Sequence, residues 1–201
     1  MPRLCLNEVH EGVVMGLWAI TETIEDMFVK YPYLESFRFQ VESRYKSNNR
    51  ILEFLAIRAL LHQMCGGRLE IKYQIDGSPY IDGLHCSISH TKGYAVLILS
   101  HSMTVGVDIE YITERVNRIA DRFVRSDEVA ETTLSKLIHW TVKEALFKVF
   151  HEDKLDYQDM KVIPFSESSQ GIIHAENLKR KIRQELYYYV NDNYVLTYCF
   201  R

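Results

Sequence analysis

Between Thr104 and Glu110 the chain reads Thr-Val-Gly-Val-Asp-Ile-Glu, and this short stretch constrains what can be built around it. Val105, Val107 and Ile109 alternate with Gly106, Asp108 and Glu110, the period-two pattern of a half-buried strand, so both carboxylates leave on one face. A second stretch, Trp140 to Lys148, lies in a run where Leu134, Leu137, Ile138, Thr141, Val142, Ala145, Leu146 and Val149 recur at helical intervals. Trp140, Glu144 and Lys148 then share one stripe of that helix. Three carboxylates, Asp108, Glu110 and Glu144, with ammonium groups beside them, make an oxygen donor set of the kind Mg²⁺ prefers when phosphate oxygens and waters complete its octahedron. Spacing alone fits equally well a strand ending at the surface and an ordinary Glu144–Lys148 helix pair worth a few tenths of a kcal/mol.

The rest of the chain offers the frame for these residues. Val13 to Ile20 reads as a strand, and Thr21 or Thr23 caps a short helix through Ile24, Met27 and Phe28 that ends at Pro32. From Arg50 to Met64 the apolar residues point in almost every direction, as in a helix buried on most sides, and Gly66-Gly67 terminates it. Ile71 to Ile75 is a strand candidate followed by the turn Asp76-Gly-Ser-Pro79. Leu84 to Ser89 and Tyr94 to Ser100 form a hairpin across His90-Thr-Lys-Gly93. Val116, Ile119, Ala120 and Phe123 suggest a further helix with Arg115, Arg118, Arg122 and Arg125 along a basic side, either a solvated face or a surface for an acidic partner. Ser126 caps the next turn. Ser166 to Gly171 is loop-like, and Leu186 to Val190 and Tyr194 to Phe200 flank Asn191-Asp-Asn193 as a second hairpin. The order of a buried helix, an interval and a hairpin occurs twice. The fold class is therefore α+β, with two similar α/β halves, residues 1–102 and 103–201.

Composition excludes several functions. A net charge of -3 over 201 residues argues against nonspecific nucleic-acid binding. Cys5, Cys65, Cys86 and Cys199 are scattered, without zinc-ligand or disulfide spacing, which points to reduced thiols in the cytoplasm. The apolar run from Gly12 to Ile20 is too short to span a membrane and lacks a basic leader in front of it.

Gly106-Val-Asp-Ile-Glu110 followed by Trp140-x-x-Lys-Glu-Ala-x-x-Lys148, with Ser87-Ile-Ser-His90 upstream, resembles the signature of the 4′-phosphopantetheinyl transferases. The likeness is to the long type with two halves in one chain, the kind that activates surfactin synthetase. It implies the 4′-phosphopantetheinyl transferase fold, a monomer, and an active site between the halves. It also implies a reaction in which the 4′-phosphopantetheine arm of coenzyme A passes to a serine of an acyl or peptidyl carrier protein, releasing 3′,5′-adenosine bisphosphate. Coenzyme A is then co-substrate and Mg²⁺, or Mn²⁺, the metal.

Carried over residue by residue, the resemblance makes Asp108, Glu110 and Glu144 metal ligands, with Glu144 and Lys148 catalytic. It makes Arg50, Ser89, His90, Lys143 and Lys148 contacts to coenzyme A, with Arg58 a further arginine for the nucleotide end. Where many relatives have Gly-Lys-Pro, with the lysine on the 3′-phosphate, this chain has Gly77-Ser78-Pro79. Two other functions share these features: a silent relative that binds coenzyme A or a carrier without transfer, and a metal-dependent nucleotide hydrolase.

Overall fold

The computed structural model describes residues 3–67 and 69–201, and the chain divides into two units, Met1–Ser102 and Met103–Arg201. In the first unit Arg3–His10 (β1) pairs antiparallel with Val13–Ala19 (β2) across a turn at Gly12, whose φ of 71° lies in the region that glycine adopts without strain. A capping box between Thr23 and Asp26 starts Ile24–Lys30 (α1). Two elements without a readable period follow, the 3-10 turn Pro32–Phe37 and the short helix Arg38–Arg44 (α2). Asn48–Cys65 (α3) is enclosed on most sides as its composition requires, and stops at Gly66 in the left-handed region.

Lys72–Tyr73 (β3) and Pro79–Tyr80 (β4) form a minimal hairpin, shorter than the strand expected from Ile71 to Ile75. His85–Thr91 (β5) and Tyr94–Ser100 (β6) complete a four-stranded antiparallel sheet in the order β1-β2-β6-β5. The β5–β6 turn is tighter than the sequence suggests. It falls at Lys92-Gly93, so His90 lies inside β5 opposite Ala95 instead of in the turn. Helix α3 packs on β6 and β2, burying Leu55, Leu60, Trp18 and Leu97 in one core. At Gly16 an added Cβ would stand 2.8 Å from the Leu60 side chain.

The second unit begins with Val105–Tyr111 (β7). The expected helix around Val116 to Phe123 is broken: a 3-10 turn, Glu114–Arg118, and a four-residue helix, Ala120–Phe123 (α4), are separated by Ile119 with non-helical backbone. Arg115, Arg118 and Arg122 are exposed. Ser126 caps no helix; Thr132 does, accepting from the Ser135 amide to start Thr133–Val149 (α5).

Met160–Val162 (β8), Gln170–Asn177 (β9), Ile182–Val190 (β10) and Tyr194–Phe200 (β11) follow. The sheet is antiparallel in the order β7-β11-β10-β9-β8, so the end of the expected loop, Gln170-Gly171, already belongs to β9. The β10–β11 hairpin forms as expected, its turn held by Asn191 Oδ1, which accepts from the amides of Asn193 and Tyr194. Helix α5 lies across β7 and β11, and Leu137, Ile138, Val142 and Leu146 bury their side chains with Leu186, Val195 and Phe123.

Among the described residues no helix is long and apolar enough to cross a membrane, and the four cysteines are free.

Candidate active site

The face of β7 that carries Gly106, Asp108 and Glu110 is the one covered by α5. A Cβ on Gly106 would stand 2.2 Å from the Ala145 carbonyl oxygen, so helix and strand backbones meet at a distance only glycine allows. This close approach brings the acids of the strand to the half-buried stripe of the helix. Lys148 Nζ donates to Asp108 Oδ1 at 2.9 Å and to the Val107 carbonyl at 2.7 Å, with the Asp108 side chain almost wholly enclosed.

Glu144 accepts a 2.6 Å hydrogen bond from the hydroxyl of Tyr157. Burial raises the Glu144 carboxyl above the ordinary range, and the nearby Asp108 charge adds to the rise. The Tyr157 bond and Lys148 oppose it. Glu110, two residues beyond Asp108 on the same face, lines a cavity of about 240 Å³ together with Trp140 and Arg115. Among the described residues, no group of three or more His, Cys, Asp and Glu side chains could by itself hold a metal ion.

Lys143 has a different occupation from the phosphate contact expected of it. Its ammonium is fully buried against the equally buried Glu128 carboxylate at 2.8 Å, and it also donates to the carbonyls of Phe123 at 2.6 Å and Tyr157 at 3.3 Å. Three N–H bonds thus meet three acceptors within the unit. Glu128 in turn accepts from the backbone amides of Arg125 and Val162. Burial pulls the Lys143 ammonium below its usual range, with Glu128 opposing. The pair ties α5 to the end of α4, to the bend at residues 125–128, to the turn at Tyr157 and to β8, and the side chain next to Glu144 is a strut.

In the first unit, Arg50 and His90 come together in the lining of a cavity of about 320 Å³. Arg50 Nη1 lies 3.3 Å from the His90 ring nitrogens, and both meet Glu53, at 3.0 Å from Arg50 and 3.3 Å from His90. Arg58 lines the same cavity, its guanidinium lying over the Phe54 ring and donating to the Phe54 carbonyl at 3.2 Å. Ser89, adjacent to His90 in β5, projects from the opposite face of the strand. The Ser78 hydroxyl is held in its own turn by Asp76 Oδ1 at 2.7 Å.

The segment that carries Asp108, Glu110, Glu144 and Lys148 is also one that a family model matches. Residues 104–199 match the family model of the 4′-phosphopantetheinyl transferase superfamily. No curated protein matches the chain. The phosphopantetheinyl transferase match spans β7, α5 and β11, and so includes the strand–helix approach at Gly106 and the Lys148–Asp108 pair. Glu53, Glu128 and Tyr157 escaped the reading of the sequence. Glu53 was within reach as the i+3 neighbour of Arg50, whereas Glu128 and Tyr157 lie in irregular stretches where no period marks them.

Proposed function

We propose that the protein transfers the 4′-phosphopantetheine arm of coenzyme A to a serine of an acyl or peptidyl carrier protein, releasing 3′,5′-adenosine bisphosphate. The observation that carries this reading is the Asp108–Lys148–Glu144 cluster, which lies within the stretch matched by the transferase family. In the transfer, the serine oxygen forms a bond to the phosphorus that bears the pantetheine. The bond from that phosphorus to the bridging oxygen breaks, and the oxygen leaves with the adenosine bisphosphate. Lys148 brings positive charge to the phosphate oxygens, and Glu144 is placed to accept the serine proton.

The donor set suits Mg²⁺. All three candidate ligands, Asp108, Glu110 and Glu144, offer oxygen, and Mg²⁺ is commonly held by one or two carboxylates with substrate phosphates and waters instead of by a complete protein cage. Bound there, the ion would neutralise charge developing on the phosphate oxygens. Arg50 and His90, with Arg58 at the same cavity, supply cationic and N–H donors for the nucleotide end in place of the lysine absent at Ser78.

Strand order supports the two-half reading. In the first unit the strand before the long helix, the last strand and the penultimate strand lie in the order β2-β6-β5. In the second they lie in the order β7-β11-β10. Two halves in one chain favour a monomer as the working form, which light scattering tests.

The test of function is incubation of the protein with apo carrier, coenzyme A and Mg²⁺, followed by mass spectrometry of the carrier. A gain of one phosphopantetheine arm, abolished by chelator, is the expected result. Consumption of coenzyme A with an unmodified carrier would favour hydrolysis, and binding with neither change would favour a silent relative.

A further inference from the structure

Tyr157 donates its hydroxyl hydrogen bond to the carboxylate on which the proposed reaction turns. It opens the 3-10 turn Tyr157–Asp159, which a capping box fixes: Asp159 Oδ2 accepts from the Asp156 amide at 2.8 Å, and Asp156 Oδ1 from the Gln158 amide at 3.4 Å. The Tyr157 carbonyl accepts from the buried Lys143 ammonium. Its ring packs 5.5 Å from Trp140 and 6.3 Å from Phe123, centroid to centroid. Backbone, ring and turn are therefore each held by a separate contact. From this held position the hydroxyl reaches Glu144 Oε1 at 2.6 Å.

We infer that Tyr157 is a positioning residue for Glu144. Its hydroxyl holds Oε1 and fixes the carboxylate's rotation about its terminal bond, so that Oε2 is left for the ion or the serine that the proposed reaction would bring. The inference rests on the transferase reading for the role of Glu144, though not for the Tyr157–Glu144 contact itself. It also connects the buried Lys143–Glu128 pair to the site, because that strut sets the segment from which Tyr157 reaches the helix. Partners that orient metal-ligating groups in this way typically matter by about 10–100-fold in metal affinity or activity.

The experiment uses Tyr157→Phe, which keeps the ring against Trp140 and Phe123 and removes only the donor. Mn²⁺ is the probe, with binding followed by the loss of the free-ion electron paramagnetic resonance signal in the presence of coenzyme A. Tyr157→Phe should weaken Mn²⁺ binding by about tenfold and raise the Mg²⁺ concentration for half-maximal transfer by a similar factor, with the melting temperature little changed. In a Glu144→Gln background the same change should have no further effect on Mn²⁺ binding. Wild-type Mn²⁺ affinity in Tyr157→Phe would overturn the inference, as would an equal loss in the Glu144→Gln background, since the hydroxyl would then act elsewhere. If the wild-type protein modified no carrier, the transferase reading would fail, and the Mn²⁺ cycle would still decide whether Tyr157 acts through Glu144.

Discussion

At the scale of single residues, Lys143 separates what a motif suggests from what a side chain does. Its charge sits beside Glu144 in sequence but points into the protein, where Glu128 is its counter-ion. Removing one member of a buried ion pair leaves the other charged and enclosed, which typically costs about 3–5 kcal/mol. Lys143→Ala should therefore lower the stability to urea by about that much, whereas Lys143→Met combined with Glu128→Leu should recover a large part of the loss. Equal stability of the single and double variants would show that the pair is not the source. The acids and Lys148 were legible because strand and helix periods put them on defined faces. Lys143 was legible as a position, while its partner was not, because Glu128 lies in a bend with no period to read.

At the scale of elements, the site depends on how closely α5 approaches β7. A methyl group at Gly106 would overlap the Ala145 carbonyl oxygen, and that atom belongs to backbone and cannot rotate away. Gly106→Ala should cost about 1–3 kcal/mol by forcing strand and helix apart. The proposed transfer should fall further than stability, because Asp108 and Glu144 separate. Comparison of unfolding free energy with kcat in the same preparation checks this.

A second element-scale expectation concerns pH. Hydrogen bonds from Arg125 and Lys161 hold Asp127 below the usual carboxylate range. The Asp156 amide and Lys179 do so for Asp159, and Arg180 and Asn177 do so for Asp153 against the opposing effect of desolvation. A depressed carboxyl stabilises the fold above its unfolded pKa, 3.8 here, and that contribution disappears as the pH falls through the lower folded value. The amides of β8 and β9 should thus lose hydrogen-exchange protection as the pH drops below 3.8, and less so at high salt, where screening has already weakened these near-surface contacts. The long periodic elements, α3, α5, β7 and β11, could be read from sequence. The edge strands β1 and β8 and the short α2 could not, since they are brief or polar and take their shape from neighbours.

At the scale of the whole molecule, the family match covers the second unit, while Arg50 and His90 lie in the first. A sequence pattern detects the strand and helix that carry the acids more readily than a corner assembled by folding. Arg50 and Glu53 on α3 meet His90 on β5 across 40 residues, so each could be read as a position while their meeting could not.

The pairing of β7 with β11 has a consequence for how the protein is made. Val105 lies opposite Phe200, so the strand bearing Asp108 and Glu110 finds its neighbour only after nearly the entire second unit has been synthesised. Closing so long a loop is slow compared with forming local contacts. Until then β7 has no strand beside it and can pair with another chain. A version ending at Asn193 should accumulate as aggregate instead of folding. Supplying Tyr194–Phe200 as a separate peptide during refolding should increase the soluble fraction, measured by sedimentation. Chaperone demand in the cell would then be set by the last seven residues of that sheet, far along the chain from the acids they protect.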